Sequence, residues 1–288
     1  MKSLAGKKAL ITGAAAGIGR AIALALARQG VDLYLVDLNE HDLNEVVAEA
    51  SRHGVEAIAR RCDVGCDKDV SATVGAVLDA WGELDILVNN AGIAHYGPTE
   101  KMTGAQWDRL LAINLLAPIQ FTRELLPTLL SRPEAHVLNV CSIAGLVALP
   151  KLTAYQVSKF GLVGFSESLR AEYGRSGLGV TALCPGFVKT GLLRRAIAGS
   201  RSKRACARSP LLCTTPEKVG AKAVSAIRRN RGIVIVTPFA RLAWFLKRMT
   251  PGGFALLARL RKKSKSGRPA EAIAEVPVPS VDEVRRAA

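Results

Sequence analysis

The segment "KKALITGAAAGIGRAIALALARQGVDLYLVD", residues 7–37, decides how the chain is read. A short apolar run ends in a turn with glycines at 13, 17 and 19. An Ala/Leu-rich stretch of helical periodicity follows and stops at Gly30, a C-cap signal. A second apolar run then closes on an acid, Asp37. Strand, tight glycine turn, helix and strand make one parallel crossover unit.

The pattern repeats outward from there. "VEAIARRCDV" (55–64), "LDILVNNAG" (84–92), "HVLNVCS" (136–142), "LGVTALCPG" (178–186) and "GIVIV" (232–236) are strand-like. Between them lie helical stretches at 43–54, 68–82, 103–130, 153–174 and 215–230. Alternation of this kind predicts an α/β fold: a doubly wound parallel sheet of about seven strands, with helices on both faces and right-handed crossovers. No repeat or long linker interrupts residues 5–237, so residues 1–237 are expected to form one domain. Residues 238–288 differ in character: Pro251-Gly252-Gly253 splits them, and "VPVPS" (276–280) is loop-like.

Composition narrows the class. With 49% hydrophobic and 22% charged residues, the 288-residue chain is globular. It has no secretory leader pattern and no window of eighteen apolar residues, so a cytoplasmic protein is expected. The cysteines at 62, 66, 141, 184, 206 and 213 are scattered, complete no metal site and are expected to be reduced. The net charge of +16 is local in origin. Residues 1–193 carry 18 basic and 19 acidic side chains, whereas 194–268 carry 20 basic residues and one acid, Glu217.

The glycine turn suits a phosphate. Gly13, Gly17 and Gly19 let a ligand approach the backbone, and the helix that opens there offers free N–H groups and a positive dipole end. Asp37, eighteen residues beyond Gly19, is placed to accept hydrogen bonds from adenosine ribose hydroxyls and to repel a 2′-phosphate. Nothing basic at 14–16 or 38–39 offsets that repulsion, so NAD is expected over NADP. Asp63 and Val64 end the third strand; the acid would meet an adenine edge or cap the next helix. Asn89 to Gly92 end the fourth strand, as crevice residues or as a turn.

"YQVSK" at 155–159 carries the chemistry. Tyr155 and Lys159 share a helix face, about 5–6 Å apart at Cβ. A free phenol has a pKa of about 10, and lowering it by about three units takes about 4 kcal/mol. An ammonium nearby, aided by an oxidised nicotinamide, is expected to supply this, so that Tyr155 accepts a proton from a substrate hydroxyl. Ser142 would hold the same oxygen. The Asn114 amide would hold a water leading to Lys159. All four lie toward the carboxyl ends of the sheet.

Taken together, "TGAAAGIG", Asp37, Asp63-Val64, "NNAG", Asn114, Ser142, "YQVSK", Pro185-Gly186 and Thr190 resemble the short-chain dehydrogenase/reductase family over about residues 5–237. The resemblance implies a Rossmann-type sheet, a nicotinamide cofactor, and homo-oligomers, dimers or tetramers. It implies a catalytic set of Asn114, Ser142, Tyr155 and Lys159, with Lys159 also on the nicotinamide ribose. It places Gly13, Ala16, Gly17, Ile18, Gly19, Asn90, Ala91 and Gly92 along the cofactor. Pro185 and Gly186 also fall on the cofactor, Ile113 by its adenosine half, and Val188 and Thr190 by the carboxamide.

The expected activity is hydride transfer between NAD and a secondary alcohol or ketone. The pocket residues Ile143, Leu146, Val147, Leu149, Leu152, Phe187, Leu192 and Leu193 favour an apolar, sterol-, retinoid- or long-chain-like substrate, with His95 and Tyr96 at the mouth. The alternatives are a 3-oxoacyl-carrier-protein reductase and a non-catalytic cofactor-binding scaffold. Arg194, Arg195, Arg201, Lys203, Arg204 and Arg208 decorate the region that covers substrate in the family. In 239–249, Phe239, Leu242, Ala243, Leu246 and Met249 form one helical stripe, and 253–265 repeats the scheme with Phe254, Leu257 and Leu260. Basic amphipathic helices of this kind lie on anionic membranes or pack on protein. No recognition motif points to nucleic acid.

Overall fold

A computed structural model describes residues 1–189 and 213–250 together with Gly252. Seven parallel strands form the main sheet in the order β3-β2-β1-β4-β5-β6-β9. They are β1 (Lys8–Thr12), β2 (Asp32–Asp37), β3 (Ala57–Arg61), β4 (Ile86–Asn89), β5 (Ala135–Val140), β6 (Leu178–Cys184) and β9 (Ile233–Ile235). A separate parallel pair joins β7 (Phe187–Val188) to β8 (Cys213–Thr214). The interior strands are buried on both faces: β5 and β6 contain no exposed position. This explains their unbroken apolar runs, as double-sided burial leaves no polar alternation.

Helices cover both faces. On one, α1 (Gly17–Ala27), α2 (Glu40–Ser51) and α7 (Pro216–Arg228) pack Ile22, Leu26, Leu43, Val46 and Ile227 onto Ile11, Leu33 and Val88. On the other, α3 (Asp67–Trp81), α5 (Ala117–Leu130) and α6 (Thr153–Tyr173) pack Val74, Phe121, Leu125 and Leu169 onto Leu10, Leu87 and Val137. The strand order reverses between β1 and β4, and a crevice at that switch point is where ligands bind in sheets of this kind.

Three features go beyond the sequence expectation. The helix expected over 103–130 is α4 (Gly104–Leu111), a π-turn (Ala112–Leu116) and α5. Pro118 has no N–H to give the Asn114 carbonyl, so the α-helical ladder cannot run through. Secondly, α8 (Pro238–Met249) belongs to the first of two compact units, Met1–Met249, and the second is Thr250–Ala288. Thr237 starts α8 by accepting from the Ala240 N–H, with Pro238 at the first helical position. Thirdly, Cys213 is disulfide-bonded, which corrects the expectation of six reduced thiols. Cys62, Cys66, Cys141 and Cys184 are free. Among the described residues no helix is long and apolar enough to cross a membrane.

Candidate active site

The glycine turn is held from two sides. Gly13 has φ +65, a left-handed conformation that glycine adopts without strain, and a Cβ there would lie 2.8 Å from the Ala91 Cα. A Cβ on Gly19 would overlap the Gly13 carbonyl oxygen, so α1 can start this close to β1 only with glycine. Asn90 Nδ2 donates to the carbonyls of Thr12 (3.0 Å) and Gly13 (2.9 Å). The Thr12 hydroxyl accepts from the N–H groups of Asn90 and Ala91, both at 3.1 Å. Sequence reasoning passed over Thr12 as a residue; its signal is a hydroxyl at a strand end opposite another strand end. Asn89, for its part, is the buried last residue of β4 and donates to Asn139 at 2.9 Å, so it is a strand residue and not a turn residue.

The N-terminus of α1 fits an anion. Ala16 is its N-cap, no side chain caps it, and its first turn holds no acid. Its early N–H groups, around Gly17 and Ile18, are thus left to a ligand. Asp37 stands beside them: Oδ2 accepts from Ala15 N–H at 3.0 Å and Oδ1 from Asn39 N–H at 3.2 Å. Asp63 accepts from Gly65 N–H at 2.9 Å and lies 3.5 Å from Arg109. It does not cap α3, whose N-cap is Cys66. The Ile113 side chain comes 3.1 Å from where a Gly65 Cβ would stand, which brings Asp63-Val64 and Ile113 to one wall.

At the other end of the crevice, Asn114 and Lys159 converge on Gly92. A Cβ there would stand 3.2 Å from Asn114 Oδ1 and 3.7 Å from Lys159 Nζ. Asn114 is fully buried. Its Oδ1 accepts from Ile93 N–H (2.8 Å) and its Nδ2 donates to Ile93 C=O (2.8 Å) and Ser158 Oγ (3.2 Å). The amide thereby stitches the segment after β4 to the π-turn. Ser158, which the sequence reading did not single out, donates in turn to the Tyr155 carbonyl at 2.7 Å.

Ser142 follows β5, and Tyr155 and Lys159 stand in the first two turns of α6. Ser142 Oγ accepts from Ala144 N–H at 3.1 Å, and Ile143 N–H donates to Pro185 C=O at 2.8 Å. Burial pushes the Tyr155 phenol above its ordinary value, while the adjacent Ser142 hydroxyl draws it back down. Lys159 is buried, its Nζ donates to Val140 C=O at 2.9 Å, and it stands 5.9 Å from the Tyr155 ring centroid. Burial pushes this ammonium down, with Cys141 and Cys184 opposing. Within the chain itself desolvation outweighs the pull of Ser142 on the phenol, and the expected acidification calls on an oxidised nicotinamide as well as Lys159.

The predicted substrate wall is partly assembled. Leu146 and Val147 are buried, Ile143, Leu149 and Leu152 are half-buried, and Phe187 and Tyr96 are exposed. Gly186 packs on Thr237, and Val188 is buried beside it in β7. Thr190, Leu192, Leu193 and the arginine-rich stretch to Arg208 lie outside the described residues. A basic cavity of about 620 Å³ near Lys2, Arg28, Arg228 and Arg229 sits by the carboxyl ends of α1 and α7, away from the crevice. Cations there answer the negative helix ends.

A doubly wound sheet with a glycine turn at its switch point and a Ser/Tyr/Lys set beside it defines a dehydrogenase of the Rossmann class. Residues 7–200 match the family model for short chain dehydrogenases. The chain belongs to the short-chain dehydrogenase/reductase family of oxidoreductases. It is 39% identical over 198 residues to a D-threitol dehydrogenase of Mycolicibacterium smegmatis, covering 69% of this chain and 76% of that one. It is 36% identical over 184 residues to a putative ketoacyl reductase of Streptomyces coelicolor, covering 63% and 70%. A crystal structure of a family member from Burkholderia phymatum in complex with NAD superposes with a TM-score of 0.79 at 29% identity, over 87% of this chain and 96% of that one.

Proposed function

We propose that the protein is an NAD-dependent oxidoreductase interconverting a lipophilic secondary alcohol and its ketone. The convergence of Asn114 Oδ1 and Lys159 Nζ on Gly92, with Ser142 beside the Tyr155 phenol, carries this reading. A nicotinamide bound in the crevice supplies the hydride acceptor or donor. Tyr155 takes the hydroxyl proton as hydride leaves the carbon and returns it in reduction. Ser142 donates to the reacting oxygen and holds the phenol in register. Lys159 releases Val140 to hold the ribose, which brings positive charge toward the phenol. Asn114, which meets Lys159 at Gly92, completes the set and holds the water that relays protons to Lys159.

The cofactor is held by Gly13, Ala16, Gly17, Ile18 and Gly19 at the pyrophosphate and by Asp37 at the ribose. Asp63, Val64 and Ile113 line the adenine side, Asn90, Ala91 and Gly92 the crevice floor, and Pro185, Gly186, Val188 and Thr190 the carboxamide side. Asp37 has no basic partner among its hydrogen bonds, which supports NAD over NADP. The proposal places this work in residues 1–237, in a cytoplasmic homo-oligomer whose 239–265 region meets an anionic membrane. The ketoacyl reductase reading keeps the same machinery with a carrier-bound substrate and rests on the likeness to the Streptomyces protein.

Tyr155→Phe is the deciding variant. Turnover on a panel of lipophilic alcohols and ketones should fall by at least about a thousandfold, with NAD affinity changed less than about threefold. Equal loss of both would reassign Tyr155 to binding. Tighter NADP than NAD binding by the wild type would overturn the role given to Asp37.

A further inference from the structure

The helix α8 presents two faces of opposite character. At about 100° per residue, Phe239, Leu242, Phe245 and Met249 fall within an arc of about 120°. These four are between 49% and 64% exposed. The stripe expected from sequence is thus rearranged, with Phe245 joining the outer face and Ala243 turning half inward. The opposite face is seated on the protein. Ala240 is buried, Lys247 Nζ donates to the Leu146 carbonyl at 2.6 Å, and it stands 4.7 Å from the Phe160 ring centroid. Arg241 and Arg248 lie along one edge of the apolar arc; Arg241 is bonded to Ile235 C=O and Arg248 lies over Trp244.

We infer that the outer face of α8 is a docking surface for an anionic lipid bilayer, a partner that deepens the lipophilic-substrate reading above and rests on it. Charge decides the occupant. The helix carries no acid, and of its three cations Arg241 and Arg248 border the outer face; in sequence, residues 250–265 that follow it add five cations and no acid. A second copy of this chain would bring the same positive charge to the contact, whereas an acidic headgroup layer neutralises it. Large apolar side chains with arginines along one edge match an interfacial helix. Through Lys247 the same helix is tied to the turn after Ser142, at the substrate wall. Docking therefore holds that wall one helix away from the bilayer in which an apolar alcohol or ketone is dissolved.

The test is co-sedimentation of the full chain with phosphatidylcholine vesicles and with vesicles containing phosphatidylglycerol. It compares the wild type, Leu242→Glu/Phe245→Glu and the milder Leu242→Ser/Phe245→Ser. NAD binding and sedimentation velocity are measured on the same samples. The wild type should pellet with anionic vesicles at least about tenfold better than with neutral ones. Both double variants should lose most of that binding while NAD affinity and oligomeric state stay unchanged. Wild-type indifference to anionic vesicles overturns the inference. So does a variant that still binds vesicles but changes oligomeric state, which would give the face to a second copy. Because NAD binding is read separately, loss of vesicle binding with NAD binding intact leaves the oxidoreductase reading standing.

Discussion

At the crevice, Thr12, Asn90 and Asn114 place their polar atoms on backbone groups of a neighbouring segment, with hydrogen bonds of 2.8–3.1 Å. On α8, the outward side chains are large, apolar and about half exposed or more. The first region is fixed from within: its geometry follows from contacts the chain makes with itself. The second is finished on its inner side alone. Side chains that complete a fold and side chains that await a surface differ in what their removal should cost, and substitutions can measure that difference.

The largest effect belongs to the glycine turn. Gly19→Ala should destabilise the chain by about 3 kcal/mol, because its Cβ meets the Gly13 carbonyl, and should abolish NAD binding. Urea unfolding with a calorimetric titration checks both. Asn114→Ala follows, at about 2 kcal/mol, since it removes the side-chain partner of the Ile93 N–H and C=O in two part-buried hydrogen bonds. A loss under about 1 kcal/mol would show that the stitch adds little.

A pH effect comes next. His136 is fully buried within β5 beside Thr181, and desolvation lowers its pKa from 6.5 to about 3. The folded chain keeps the ring neutral while the unfolded chain protonates it. Stability should therefore fall as pH drops below about 6.5, with a slope approaching about 1.4 kcal/mol per pH unit from this group until the folded pKa is reached. His136→Gln should flatten that part of the profile. The smallest effect is on the outer face of α8, where Leu242→Ser should change stability by no more than about 0.5 kcal/mol. A large loss there would erase the contrast between the two regions.

Much of the fold was legible in the sequence because it is local. Buried parallel strands give unbroken apolar runs, the helices between them give period 3.6, and Gly30 and Gly82 mark where two helices end. The residues gathered at the strand ends follow from that topology. What escaped notice depends on contacts between distant positions. Nothing near Asn114 announces that its amide pairs with Ile93, 21 residues back, although Pro118 does mark the break in the helix. Thr12 and Asn90 are 78 residues apart. Lys247 is one cation among many in its stretch of sequence, yet it reaches a carbonyl 101 residues away. The phenol's upward shift was illegible for another reason: burial is a property of the assembled crevice and not of the pair's spacing.

The side chain of Asn114 also makes a mechanical connection. Ile93 leads into Asn114, Asn114 into Ser158, and Ser158 into the backbone carbonyl of Tyr155 itself. One amide therefore acts as a rivet between the two banks of the cleft. A displacement of the loop beyond β4 when a ligand seats against it would be felt at the phenol's own main chain, so that filling one half of the cleft and aligning the other become a single event.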